Sequence, residues 1–258
     1  MFALAVIAGA AAIAAAGAPV HYAPVNLAAQ AIALGIYALA VRRKLPPAGL
    51  ITLAIAPLAL VATLVVGLEI DGVRRWLGSP ALALHTGMLV LPSLTVLVAR
   101  RSDWIAFAAS AASALVLALQ PDFGTALAFF LALTVAAWHR RNAAVVAAAA
   151  MAALAAIACA VRPDPLAPVP FAEGVLQTAL ANGGVLAILA VVALVLAIAA
   201  PFRRSGFSRI ESRTVAAFLL GLALASLAGA YPTPLLGYGA ASIIGYGLAL
   251  ALIEGRRR

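Results

Sequence analysis

Apolar stretches close to the ~20 residues needed to cross a hydrocarbon core recur from residue 2 almost to the C-terminus, separated only by short polar breaks. A run such as "AAVVAAAAMAALAAIACAV" has no polar face to show to water, so it cannot cover a soluble domain. In lipid, every backbone N–H and C=O must be satisfied within the segment, which selects helices. The pattern therefore predicts an all-α polytopic membrane protein forming one domain over 1–258. Ten spans are expected, at about 2–20, 26–41, 48–68, 81–99, 104–119, 121–138, 143–161, 173–200, 214–230 and 235–253. The connections between them are too short for a separate soluble domain.

Charge fixes the expected orientation. Seventeen Lys and Arg stand against eight Asp and Glu, a formal charge of +9. Fourteen of the basic residues fall in five clusters, at 42–44, 100–101, 140–141, 203–213 and 256–258, and only Arg74, Arg75 and Arg162 lie elsewhere. Short basic loops stay cytoplasmic, so both termini and these clusters are expected inside. Spread in this way the charge reports topology, and no nucleic-acid partner is expected. The first apolar stretch lacks a preceding basic segment and reads as a retained span, not a cleaved leader. One cysteine, Cys159, allows neither an intramolecular disulfide nor a thiolate cluster. His21, His85 and His139 are too far apart for a metal-binding spacing, and no phosphate loop, nucleophile elbow or HExxH pattern occurs. No cofactor is expected; a divalent cation on a carboxylate stays open.

Unusual polar residues collect in four segments expected outside: "LEIDGVRRWLG" at 68–78, "QPDFGT" at 120–125, "VRPDPLAPVPFAEG" at 161–174 and "YPTPLLGYGAAS" at 231–242. Gln120, Pro121 and Asp122 suit a helix start, where proline fits the first turn and a carboxylate accepts free N–H groups. Equally, they suit a turn dipping toward a polar cavity. Arg74, Arg75 and Trp76 read either as an interfacial belt or as a grip for a phosphate, since guanidinium donors are permanently charged and fixed in a fork. The glycines near 237–245 suit either a kinked helix entry or close approach to a ligand.

Taken in order, these segments resemble the SEDS family of bacterial shape, elongation, division and sporulation proteins, the FtsW/RodA/SpoVE-like membrane proteins. "LQPDFGTAL" is similar to the QPDxGTA signature through Gln120, Pro121, Asp122, Gly124, Thr125 and Ala126. "PTPLLGYGAASII" is similar to PLPFxSYGGSSLL through Pro232, Pro234, Tyr238, Gly239 and Ser242, and "DGVRRWLG" to GAxRWI through Gly72, Arg75 and Trp76. The resemblance implies a multi-pass protein of the bacterial inner membrane that handles a polyprenyl-linked glycan among membrane lipids, paired with a single-span transpeptidase or another membrane protein. It implies substrate-binding roles for Arg74, Arg75, Trp76, Gln120, Asp122, Thr125, Tyr238 and Ser242. The departures are equally specific. A long outer loop ending in a catalytic Asp is reduced to residues 162–172. Aligning Gly184 with the glycine of the family's next stretch implies Glu173 in place of that Asp, with Asp164 as the other candidate catalytic carboxylate. A QPSE stretch is replaced by "LALHTGM". Two functions follow: a minimal peptidoglycan-type glycosyltransferase, or a SEDS-like scaffold, lipid binder or lipid translocator without polymerase activity.

Overall fold

The computed structural model describes residues 1–42, 50–79, 82–162, 164–182, 184–203 and 209–255. Eleven α-helices and one small sheet are found among them: α1 (Phe2–Ala15), α2 (Tyr22–Arg42), α3 (Leu50–Val66), β1 (Leu68–Ile70), β2 (Val73–Ser79), β3 (Leu82–His85), α4 (Thr86–Arg101), α5 (Trp104–Leu119), α6 (Phe123–Arg140), α7 (Ala143–Ala160), α8 (Val175–Asn182), α9 (Val185–Ala199), α10 (Arg209–Ala228) and α11 (Ala240–Gly255). A 3₁₀ turn, Ala200–Arg203, follows α9. By length and composition five stretches can cross a membrane: α2, α6, α7, α10 and α9 with its 3₁₀ turn. The helices α1, α3, α5 and α11 are shorter but also apolar.

Helix ends are set by side chains that accept otherwise unpaired N–H groups. Asp103 Oδ1 accepts from Ala106 N at 2.9 Å to start α5, and Asn142 Oδ1 accepts from Val145 N at 3.0 Å to start α7. Ser102 and Arg141 close α4 and α6 in the left-handed conformation, which permits the sharp reversals that follow. Helix α6 lies at the centre, packed on α10, α7 and α4. Small residues allow these backbones to meet. A Cβ added to Gly221 of α10 would sit 2.4 Å from Cα of Ala128 in α6. Gly221→Val is therefore expected to destabilise the bundle by about 1–3 kcal/mol, the usual range for overpacking, seen as a lower midpoint in thermal unfolding in detergent.

Three expectations are corrected by these elements. The chain is not all-α. Residues expected to form an outer turn and the edges of two spans instead make a β1-β2-β3 antiparallel meander. Its first hairpin turns on Asp71 and Gly72, both at positive φ (48° and 80°), which matches the twist of the flanking strands. Secondly, the stretch 173–200 holds two helices, since α8 ends at Asn182 and Gly184 caps α9 with extended backbone. Thirdly, the last helix begins at Ala240. Residues 231–239 before it form an irregular segment that dips into the bundle, with Leu235 and Leu236 fully buried. Of the basic clusters, Arg43, Lys44, Arg204 and the residues at 256–258 lie outside the described residues.

The two ends of the bundle differ in polarity. At one end, Arg100 pairs with Glu211 at 2.8 Å, Arg140 donates to Ala99 O, and Arg213 lies 2.9 Å from His139 Nε2. The sheet, the turn before α6, the loop after α7 and the 231–239 segment gather at the other end.

Candidate functional site

The site is assembled around one guanidinium. Arg75 lies on β2, where alternation turns its side chain to the opposite face from Arg74. It is 4% exposed and binds three partners: Nε donates to Gln120 O at 3.1 Å, Nη2 to Pro121 O at 2.8 Å, and Nη1 to Asp164 Oδ2 at 2.9 Å. One side chain thus ties the sheet, the turn before α6 and the loop after α7. Burial opposes its charge, but Asp122 and Asp164 more than offset this and hold the proton more firmly than usual.

Asp122 starts α6. Its Oδ1 accepts from Thr125 N at 3.1 Å, and its Oδ2 lies 3.4 Å from His85 Nε2. The carboxylate is 2% exposed and does not bond Arg75 directly; Arg75 instead takes the two carbonyls just before it. Gln120 and Thr125 are buried beside it, and Gln120 Nε2, Thr125 Oγ1 and Asp122 Oδ2 have no hydrogen-bond partner. Trp76 meets the His85 ring edge-on at 5.7 Å. His85 is not a site candidate by sequence, where it reads as an isolated residue in an apolar span. Its place at the junction of β3 and α4 becomes visible only once the sheet is recognised.

The remaining candidates separate. Arg74 faces away, bound to Glu69 (2.8 and 3.0 Å) and to the carbonyls of Leu64 and Val65. Asp164 has one oxygen on Arg75, and the other accepts from Leu166 N at 3.2 Å. Ser242 is half-buried in the first turn of α11. Tyr238 stacks on Tyr22 with centroids 3.7 Å apart.

Glu173 is positioned by the segment that enters the bundle. Thr233 N donates to Ala172 O at 2.9 Å and Tyr238 N to Phe171 O at 2.7 Å, while Glu173 and Pro232 form an antiparallel bridge. Asn26 of α2 clamps the same segment, donating to Gly237 O and accepting from Gly239 N. A Cβ on Gly237 would approach Ala172 O to 2.4 Å, so only glycine permits this contact. Glu173 Oε2 accepts from Val169 N at 3.1 Å, and burial raises its carboxyl above the ordinary range.

Two cavities are lined in part by the loop after α7. One, of about 610 Å³, has apolar walls from the end of α1 and the start of α9, with Glu173 as its acidic residue. The other, of about 300 Å³, is bordered by Phe123, Arg162, Asp164 and Tyr231. Arg162 is exposed there and donates to Ala118 O at 2.9 Å. Among the described residues no three His, Cys, Asp or Glu side chains are grouped so as to hold a metal ion.

No family model and no curated protein matches the chain. Solved structures do. The Thermus thermophilus rod shape determining protein RodA superposes with a TM-score of 0.65 at 21% identity, over 100% of this chain and 95% of that one. A point mutant of the same protein gives 0.64 at 22%, with the same coverage. A structure described as a peptidoglycan synthase complex gives 0.52 at 20%, over 100% of this chain and 96% of the other. The chain has the RodA fold, that of a multi-pass membrane protein.

Proposed function

We propose that the chain is a SEDS-like protein of cell-envelope synthesis that handles a polyprenyl-linked glycan at the sheet end of the bundle. The observation that carries this reading is a pair of cavities lined by the loop after α7, one with Glu173 in its wall and the other with Arg162 and Asp164. The apolar groove suits a hydrocarbon tail, and the polar pocket has an aromatic wall and an exposed guanidinium, the combination an amphipathic lipid-linked sugar needs. Basic clusters at the opposite end favour a cytoplasmic position for that end and both termini, with the site outside the inner membrane. Ten crossings satisfy this orientation, with α8 as a short outer helix leading into α9. Similarity to a peptidoglycan synthase complex supports a membrane-protein partner such as a single-span transpeptidase.

In the active reading, Glu173 takes the proton from an acceptor sugar hydroxyl. That oxygen bonds to the anomeric carbon of the donor, and the lipid diphosphate leaves with the electron pair of the broken C–O bond. Arg162 stands beside the developing negative charge. Arg75 and Asp164 hold the frame, since both are engaged with each other. Raised basicity suits Glu173 to this task, because a general base works best with a pKa near the operating pH. Only its ionised form accepts the proton, so polymerisation is expected to rise with pH through a point above the ordinary carboxylate range. Glu173→Gln removes that rise along with the activity.

The test is polymer formation from lipid-linked disaccharide by purified protein, with and without a transpeptidase partner. Loss in Glu173→Ala with retention in Asp103→Asn, a change at the opposite end, supports the active reading. A second reading, a scaffold or lipid-binding and translocating subunit without polymerase activity, is favoured by the engagement of Asp164 with Arg75, which leaves one carboxylate to act alone. Lipid binding without polymer under partner-supplemented conditions selects it. Chelation in the same assay reports any divalent-cation dependence.

A further inference from the structure

His85 lies at the base of the Arg75 cluster, 8% exposed, and its surroundings fix its protonation. The backbone N–H of Met88 donates to Nδ1 at 3.4 Å, which makes the imidazole the N-cap of α4. A ring nitrogen that accepts carries no proton, so the proton of the neutral ring is on Nε2. The β2-β3 register places Trp76 opposite His85, and the indole walls the ring at 5.7 Å. Nε2–H is thereby held against Asp122 Oδ2 at 3.4 Å. That oxygen is buried without a hydrogen-bond partner, and Oδ1 is already taken by Thr125 N.

We propose that His85 is a positioning residue for Asp122: its Nε2–H, oriented by the Met88 cap and the Trp76 wall, fixes the carboxylate between α4 and α6 where its charge balances Arg75. The inference deepens the lipid-handling reading and rests on it only for its functional consequence. A second proton on the ring would require breaking the α4 cap. The charges facing the imidazole are Asp122 from the turn before α6, Arg75 from β2 and Asp164 from the loop after α7. Burial outweighs the pull of Asp122 and disfavours a second proton on the ring.

The chain has three histidines, so protein labelled with ¹⁵N-histidine in lipid nanodiscs gives a resolvable test. The resonance lost in His85→Asn is expected to report a neutral Nε2–H tautomer from about pH 8 down to about pH 5, the interval in which exposed imidazoles titrate. Asp122→Asn, which keeps the α6 cap, should shift that resonance and leave His21 and His139 in place. A proton on Nδ1, titration like a solvent-exposed imidazole, or indifference to Asp122→Asn overturns the proposal. The parent spectrum decides the tautomer even if a variant does not fold. His85→Asn keeps an acceptor for Met88 N but cannot reach Asp122, so it separates capping from positioning. It is expected to weaken binding of lipid-linked disaccharide by about tenfold, the order of loss when a buried charged group is deprived of a polar neighbour. Unchanged binding overturns the positioning role. A parent that binds no such lipid defeats the lipid-handling reading and leaves the spectroscopic result standing.

Discussion

Arg75→Ala is expected to remove about 3–5 kcal/mol of stability, the usual consequence of deleting one partner of a buried ion pair. The guanidinium joins three segments of chain. Without it, Gln120 O and Pro121 O lose their donors, and Asp164 keeps its charge at a half-buried position. Arg75→Lys should recover little, because one ammonium cannot reach three acceptors arranged around a planar fork. Thermal unfolding in detergent checks both. Equal midpoints for the parent and Arg75→Ala would remove the guanidinium from its place as the tie between sheet, turn and loop. Arg74→Ala supplies the contrast: its ion pair with Glu69 is exposed, and exposed pairs contribute about 0–1 kcal/mol.

The opposite end gives the second large effect. Arg100 Nε meets Glu211 Oε1 at 2.8 Å, with the glutamate side chain 2% exposed, and Arg100 also donates to Leu252 O. Arg100→Met deprives a buried carboxylate of this guanidinium and is expected to destabilise the protein by about 3–5 kcal/mol. Combining Arg100→Met with Glu211→Leu removes both charges and should return most of that loss, since an apolar pair of similar volume often does as well as a buried ion pair. A double variant as unstable as the single one would show that Glu211 serves the bundle through contacts other than Arg100.

The contrast between sequence and structure follows from range. Apolar runs and basic clusters are local signals, and they locate the helix pairs around 104–160 nearly to the residue, where Asp103, Asp122 and Asn142 also cap as their residue types suggest. The meander is legible too: Asp71-Gly72 between apolar neighbours is a strong hairpin signal, outweighed by the hydropathy on either side. Consecutive glycines at 183 and 184 likewise signal a break before α9. What cannot be read are the pairings across long separations. Nothing near Asn26 points to Gly237, and nothing near His85 points to Asp122. Arg75 is joined to the turn before Asp122 through two backbone carbonyls, a detail that side-chain types do not encode.

The lacing of Glu173 to the segment before α11 has a consequence for biosynthesis. Its neighbours Phe171 and Ala172 find their hydrogen-bond partners at Tyr238 and Thr233, and Leu176 finds the Thr233 hydroxyl 57 positions downstream. While the ribosome is still making α9 and α10, the partners that shape this acidic segment have not yet been translated. The glutamate is brought to its final position only after the last helix has been delivered to the bilayer, so a nascent chain halted before residue 231 is expected to be inserted yet unfinished at its outer surface.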